Sequence, residues 1–138
     1  MATNCIIGMV MEDGSVEGIY CHNGGWVRGV GETLVHCYGE EETERLISLG
    51  AISTLGEFVE APAGAEHSFE KPQPGVTVAY LRDRGEASAD WRFEGKNIED
   101  FLHRAPSTTY TYLFVDGDWY LHVANDPSGL RLAPALAR

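Results

Sequence analysis

The sequence predicts an α+β fold: a largely antiparallel sheet with a β-hairpin near each terminus and two to three helices packed on one face, in the order ββ-αα-β-α-ββ. Three observations carry this. Asp13-Gly14 and Asp116-Gly117 each separate two apolar runs, the strongest short-range hairpin signal a sequence offers. Between them, Val27, Val30, Leu34 and Tyr38 recur at three- and four-residue steps, which marks a helix face. The 138 residues, 43% apolar, suit one soluble domain with a proper core.

Each element follows from local chemistry. Cys5 to Met11 is an apolar run of strand length, Glu12-Asp13-Gly14-Ser15 is a turn, and Val16 to Tyr20 resumes the strand. A helix is expected over about 27–38, where Gly29 and Gly31 weaken the first turn by about 1 kcal/mol each relative to Ala. Glycine there suits a close approach to the backbone. Gly39 is expected to end this helix. Glu40 to Glu44 open a second, shorter helix whose acidic first turn complements the dipole. Leu46, Ile47 and Leu49 form its apolar side and Gly50 its natural stop. The pattern then weakens. Ser53-Thr54-Leu55-Gly56 reads as a turn, and the Pro-containing stretches at 61–65 and 71–75 read as surface loop. Val76 to Leu81 reads as a strand ending in Arg82-Asp83-Arg84-Gly85-Glu86, and Trp91-Arg92-Phe93 adds a short one. Asn97 is an N-cap with Asp100 three residues on; its helix carries Ile98, Phe101 and Leu102 and stops at Ala105-Pro106. In the second hairpin, Tyr110, Tyr112 and Phe114 share one face, and Thr111, Leu113 and Val115 the other. Residues 1–124 therefore form a single domain, followed by a loosely ordered tail over 125–138.

The charge is lopsided. Up to residue 70, Arg28 and Arg45 stand against twelve carboxylates, so this half carries −10 of the total −11. Such a sign excludes direct nucleic-acid binding, which rests on neutralising phosphates. The run Glu40, Glu41, Glu42 and Glu44 is the candidate surface for a basic partner, whose association would be steered and salt-sensitive. The bland alternative is a solvated acidic face. No apolar run approaches the roughly 18 residues of a membrane span, and Met1-Ala2-Thr3-Asn4 has no positive leader region. Three scattered cysteines suit a reduced, cytoplasmic setting. An exposed edge of either hairpin would invite a homodimer.

Chemistry concentrates at Tyr20-Cys21-His22-Asn23-Gly24-Gly25-Trp26, a sharp strand-to-helix corner. Cys21 with His22 is a candidate nucleophile and base, although neighbours on a strand point to opposite faces. The same alternation keeps Cys21 and His22 from sharing a metal ion. His36, Cys37 and His67 show no ligand spacing with them, so no metal site, cofactor or catalytic residue is assigned. The anion-binding alternative joins Tyr20, His22, Asn23, Gly24, Gly25 and Trp26 to Arg82 and Arg84. The arginines are expected on one face of a strand end, where their forks suit a small anionic nucleotide. Pairing of Arg82 and Arg84 with Asp83, Glu86 or the acidic second helix is the structural alternative.

Several of these segments recur together in a known family. Ile19-Tyr20-Cys21-His22, Gly29-Val30-Gly31-Glu32-Thr33-Leu34, Leu49 to Gly56, Val76 to Glu86 with its Arg-Asp-Arg-Gly-Glu, and Tyr112 to Tyr120 with its Asp-Gly-Asp-Trp stand in that order. As a set they resemble a family of small bacteriophage and prophage proteins. That family carries Asp-Gly-Tyr where Asn23-Gly24-Gly25-Trp26 provides no acid. What the resemblance implies is an accessory protein of the host-cell cytoplasm. Its expected role is to inhibit a host defence or nucleic-acid-handling complex by contact, as anti-CRISPR proteins do. It implies no catalytic residue.

Overall fold

The computed structural model describes residues 3–85, 92–106, 108–124 and 126–132. The fold is α+β, as expected, with a larger sheet than the sequence suggests. Strands β1 (Cys5–Val10) and β2 (Val16–Cys21) form the first hairpin. A π-helical turn, Val27–Gly31, runs into α1 (Glu32–Cys37), and α2 (Glu40–Ser48) follows. Next come β3 (Ile52–Thr54), β4 (Val78–Ala79), α3 (Tyr80–Arg84), β5 (Arg92–Gly95) and α4 (Ile98–Arg104). The second hairpin is β6 (Tyr110–Val115) and β7 (Asp118–Val123), with β8 (Leu130–Arg131) outside it. The sheet order is β4-β3-β2-β1-β6-β7-β8, and β5 also pairs with β2.

The two hairpins join through a parallel pairing of β1 with β6, in register from Cys5↔Tyr110 to Met9↔Phe114. Side-chain alternation then builds two cores. Cys5, Ile7, Met9, Ile19, Cys21, Tyr112 and Phe114 face Val30, Leu34, Leu46 and Ile47 of the first helices. On the opposite face, Ile6, Val16 and Leu113 meet Phe101, Leu102 and Ala105 of α4. The helices were expected on one face. Two share one, while α4 lies across the other. This explains why Cys5–Val10 is apolar at every position instead of alternating: β1 is buried on both sides. Gly18 and Gly95 make room for α4. A Cβ at Gly18 would lie 2.5 Å from the Phe101 ring, and one at Gly95 would collide with the Phe101 backbone.

Other departures have local causes. Gly39 does not end the first helix in a left-handed conformation. It is extended (φ −92°) and opens α2, donating its N–H to the Glu42 carboxylate at 3.1 Å. Gly50, at φ +76°, is the stop that the sequence promised. Ser53-Thr54 lie in β3 instead of a turn, because Cys21 and Ala79 flank Ile52 as strand partners. The strand expected over 76–81 is a strand only at Val78–Ala79, with an isolated bridge from Val76 to Phe58 before it, and turns into α3. Its β-branched residues end at Val78, and Gly85 (φ +72°) closes the helix. Asn97 caps α4 as expected, its Oδ1 accepting the Asp100 N–H at 2.8 Å. Trp91 and Glu86 lie outside the described residues, while Arg92-Phe93 fall in β5. Of the expected tail, Leu130–Arg131 pair with Leu121 and Tyr120. The outer edges of both hairpins are taken up in part, β2 by β3 and β5 and β7 by β8. No helix among the described residues is long and apolar enough to cross a membrane.

Candidate functional site

The Tyr20–Trp26 corner is largely a structural joint. Cys21 is fully buried opposite Cys5, and its Sγ donates to the Asn23 carbonyl at 3.3 Å. The Cys5 thiol is pushed well up by its hydrogen bond with Cys21 and by burial. A nucleophile must reach a substrate, and Cys21 does not reach the surface. Asn23 Nδ2 donates to the Ser53 carbonyl at 3.0 Å. Gly24 takes φ +74°, and its carbonyl accepts the Val30 N–H at 2.9 Å. Gly25 donates to Thr3 O at 2.8 Å and accepts the Tyr112 hydroxyl at 2.8 Å. Burial pushes that Tyr112 hydroxyl far up. A Cβ on Gly29 would strike Gly24 O and lie 2.9 Å from Trp26 Nε1. That packing accounts for the glycine in the π turn. What the joint leaves exposed is His22 and Trp26, the latter at 48%. His22 Nδ1 lies 2.9 Å from the Tyr20 hydroxyl.

Arg82 and Arg84 do not share a strand face. Both lie on α3, and they do different things. The Arg82 guanidinium grips Asp83 (Nε to Oδ1 2.8 Å) and donates to the Val59 and Thr77 carbonyls, each at 2.6 Å. Arg84 stacks on Phe69 at 4.7 Å and Tyr80 at 5.8 Å. The eight proposed ligand residues therefore divide. Tyr20 and His22 touch each other, Arg84 stacks on Phe69 and Tyr80, Trp26 stands at the start of the π turn, Asn23, Gly24 and Gly25 hold the joint, and Arg82 is committed to a hydrogen-bonded knot. Among the described residues no three or more His, Cys, Asp or Glu gather to hold a metal ion.

The knot centres on Asp83, whose side chain is 4% exposed. Its burial would raise the carboxyl, but hydrogen bonds from Arg82, the Ala79 N–H and His67, with the Arg82 charge, hold it below the ordinary range. Its folded value thus lies below an unfolded value of about 3.9. The stabilisation is complete above that value and is lost as pH falls through the folded one. Asp13, held down by Ser15, and Asp100, held down by the Lys96 N–H and Arg104, titrate in the same window. The urea midpoint of the wild type is expected to drop on acidification below about pH 4, and that of Asp83→Asn to drop less. Equal slopes would remove Asp83 from this account.

The acidic residues form a more coherent surface than the corner does. Glu40, Glu41 and Glu44 are exposed on α2, and Glu42 is half-buried at its start. The structure adds Glu32 from α1 and Glu57 and Glu60 from the connection after β3. Two hollows of about 400 and 360 Å³ lie between these segments and meet at Cys37 and Glu57. Phe58, 61% exposed, stands at the wall between Glu57 and Glu60. The two arginines beside the groove are both matched by carboxylates, Arg28 with Glu32 at 3.7 Å and Arg45 with Glu60 at 3.3 Å. The Cys37 thiol is pushed up by burial and then by Glu57. Sequence reasoning found the α2 run but missed Glu32, Glu57, Phe58 and Glu60. The available signal was Glu57-Phe58-Val59-Glu60, an aromatic between carboxylates in an otherwise weak stretch. A larger hollow of about 580 Å³ beside α4 is less suited, because Asn97 and Asp100 there are spent on the helix cap and on Arg104 at 3.0 Å.

Comparison of the chain with family models, with curated proteins and with solved structures finds no match.

Proposed function

We propose that this is a phage or prophage accessory protein that inhibits a host defence or nucleic-acid-handling complex, in the manner of anti-CRISPR proteins, by binding a basic surface of it. The observation that carries the reading is the groove in which Glu42, Glu57 and Glu60 share a hollow with the exposed Phe58, and Glu32 lines the adjoining hollow. Carboxylates arranged around an aromatic anchor suit an arginine-rich partner surface that would otherwise hold nucleic acid. The resemblance to small phage proteins supplies the biological setting, the host-cell cytoplasm. Expression in a host whose defence restricts a phage should raise that phage's plating efficiency. A Glu41→Gln/Glu44→Gln/Glu57→Gln/Glu60→Gln variant should not. Glu42 stays in place because it caps α2. Equal protection by the variant would refute the reading.

A second reading is a binder of a small anionic nucleotide-type ligand, favoured by the stacking of Arg84 on Phe69 and Tyr80. A nucleotide-induced thermal shift that Arg84→Ala abolishes would move the account there.

A further inference from the structure

The groove's outer wall belongs to the connection between β3 and β4, and this connection has little pairing of its own. Phe58 and Val76 make one isolated bridge, with the Phe58 N–H donating to Gly75 O at 3.0 Å and the Thr77 N–H to Phe58 O at 2.9 Å. The inner end is tied to the helical layer: the Tyr38 hydroxyl donates to Gly56 O at 2.8 Å and lies 3.1 Å from Thr77 Oγ1. Beyond Phe58 the wall is tied at its side chains by the exposed Arg45–Glu60 pair, at 3.3 Å, and at its backbone by α3. Arg82 donates one NH group to Val59 O and the other to Thr77 O while its Nε holds Asp83. Asp83 in turn accepts from the Ala79 N–H at 2.8 Å and meets His67 Nε2 at 3.1 Å. His67 Nδ1 accepts the Gln73 N–H at 2.9 Å, so its Nε2 carries the proton that points at Asp83. His67 and Asp83 side chains are 6% and 4% exposed, and Arg82 lines neither hollow.

We infer that Arg82 is a positioning residue for the acidic face: its guanidinium, locked by Asp83 and His67, hangs the Glu57–Glu60 wall in place, so that the groove is set by a residue that lines neither hollow. This rests on the acidic face being the binding face. The fork suits the task because its Nε and two terminal nitrogens reach Asp83, Val59 O and Thr77 O from three separate points of one rigid plane, whereas the three donors of an ammonium radiate from one nitrogen. Without it, the wall samples detached positions and the groove is whole for only a fraction of the time. Apparent affinity then falls by that fraction.

The test uses the full chain, a fluorescent nine-arginine peptide, and amide exchange at Phe58 and Thr77. Arg82→Lys should speed exchange at both amides, leave β1 amides unchanged, and weaken peptide binding about tenfold, the factor for a wall in place a tenth of the time. His67→Gln, which keeps an amide donor for Asp83, should give a smaller change of the same sign and guards against misfolding of the first variant. Unchanged exchange at Phe58 and Thr77, or faster exchange with unchanged affinity, overturns the inference. A wild type whose peptide binding is insensitive to Glu57→Gln with Glu60→Gln overturns the acidic-face reading instead, whatever the exchange data show.

Discussion

Replacing Phe101 by Ala should lower unfolding stability by about 3–5 kcal/mol, a large share of the roughly 5–15 kcal/mol available to a domain of this kind. Phe101 is fully buried and holds α4 on the second face of the sheet, against Ile6, Val16 and Leu113. Its ring fills the space left by Gly18, so truncation opens a cavity that the flat strand floor cannot collapse into. Gly95→Ala probes the same seat from the other side. The atoms in its way are Phe101 backbone, which cannot swing aside as a side-chain tip can. Urea unfolding measures both variants. A loss below about 1 kcal/mol for Phe101→Ala would mean that α4 is not seated as described.

Asp83→Ala should cost a similar amount, about 3–5 kcal/mol, because it strands several groups at once. The Ala79 N–H, the His67 Nε2–H and the Arg82 guanidinium all donate to this carboxylate, and both His67 and Asp83 are nearly sealed from water. Removing the acceptor leaves an uncompensated charge and buried donors without partners, which is the expensive way to break such a network. Asp83→Asn keeps one acceptor oxygen and should fall between the wild type and Asp83→Ala. A wild-type urea midpoint for Asp83→Ala would show that the knot closes over nothing of consequence.

Legibility followed sequence distance. Asp13-Gly14, Asp116-Gly117, Gly50 and Asn97 each announce an element through chemistry confined to a few neighbours, and each sits where expected. The parallel junction of β1 with β6 joins residues about a hundred positions apart, and no local rule encodes it. Its only trace was the unbroken apolar run of β1. Arg82-Asp83-Arg84 misled because alternation after Val76-Thr77-Val78 resembles a continuing strand, whereas Gly85 closes a helix there. The candidate groove was half legible. Charge density marked α2, but Glu57, Phe58 and Glu60 join it through long-range ties, those of Tyr38, Arg82 and the Arg45–Glu60 pair among them. At the Tyr20–Trp26 corner the dense functional chemistry serves folding: Asn23, Gly24 and Gly25 are absorbed by Ser53, Val30, Thr3 and Tyr112.

The most direct test of the central claim is capture of a partner from host lysate by the wild type and by the Glu41→Gln/Glu44→Gln/Glu57→Gln/Glu60→Gln variant, across a series of salt concentrations. The account predicts that the wild type retains a basic complex at low salt, releases it as screening shortens the reach of the carboxylates, and that the variant retains little at any salt. Equal retention by the two proteins, or binding indifferent to salt, would contradict it.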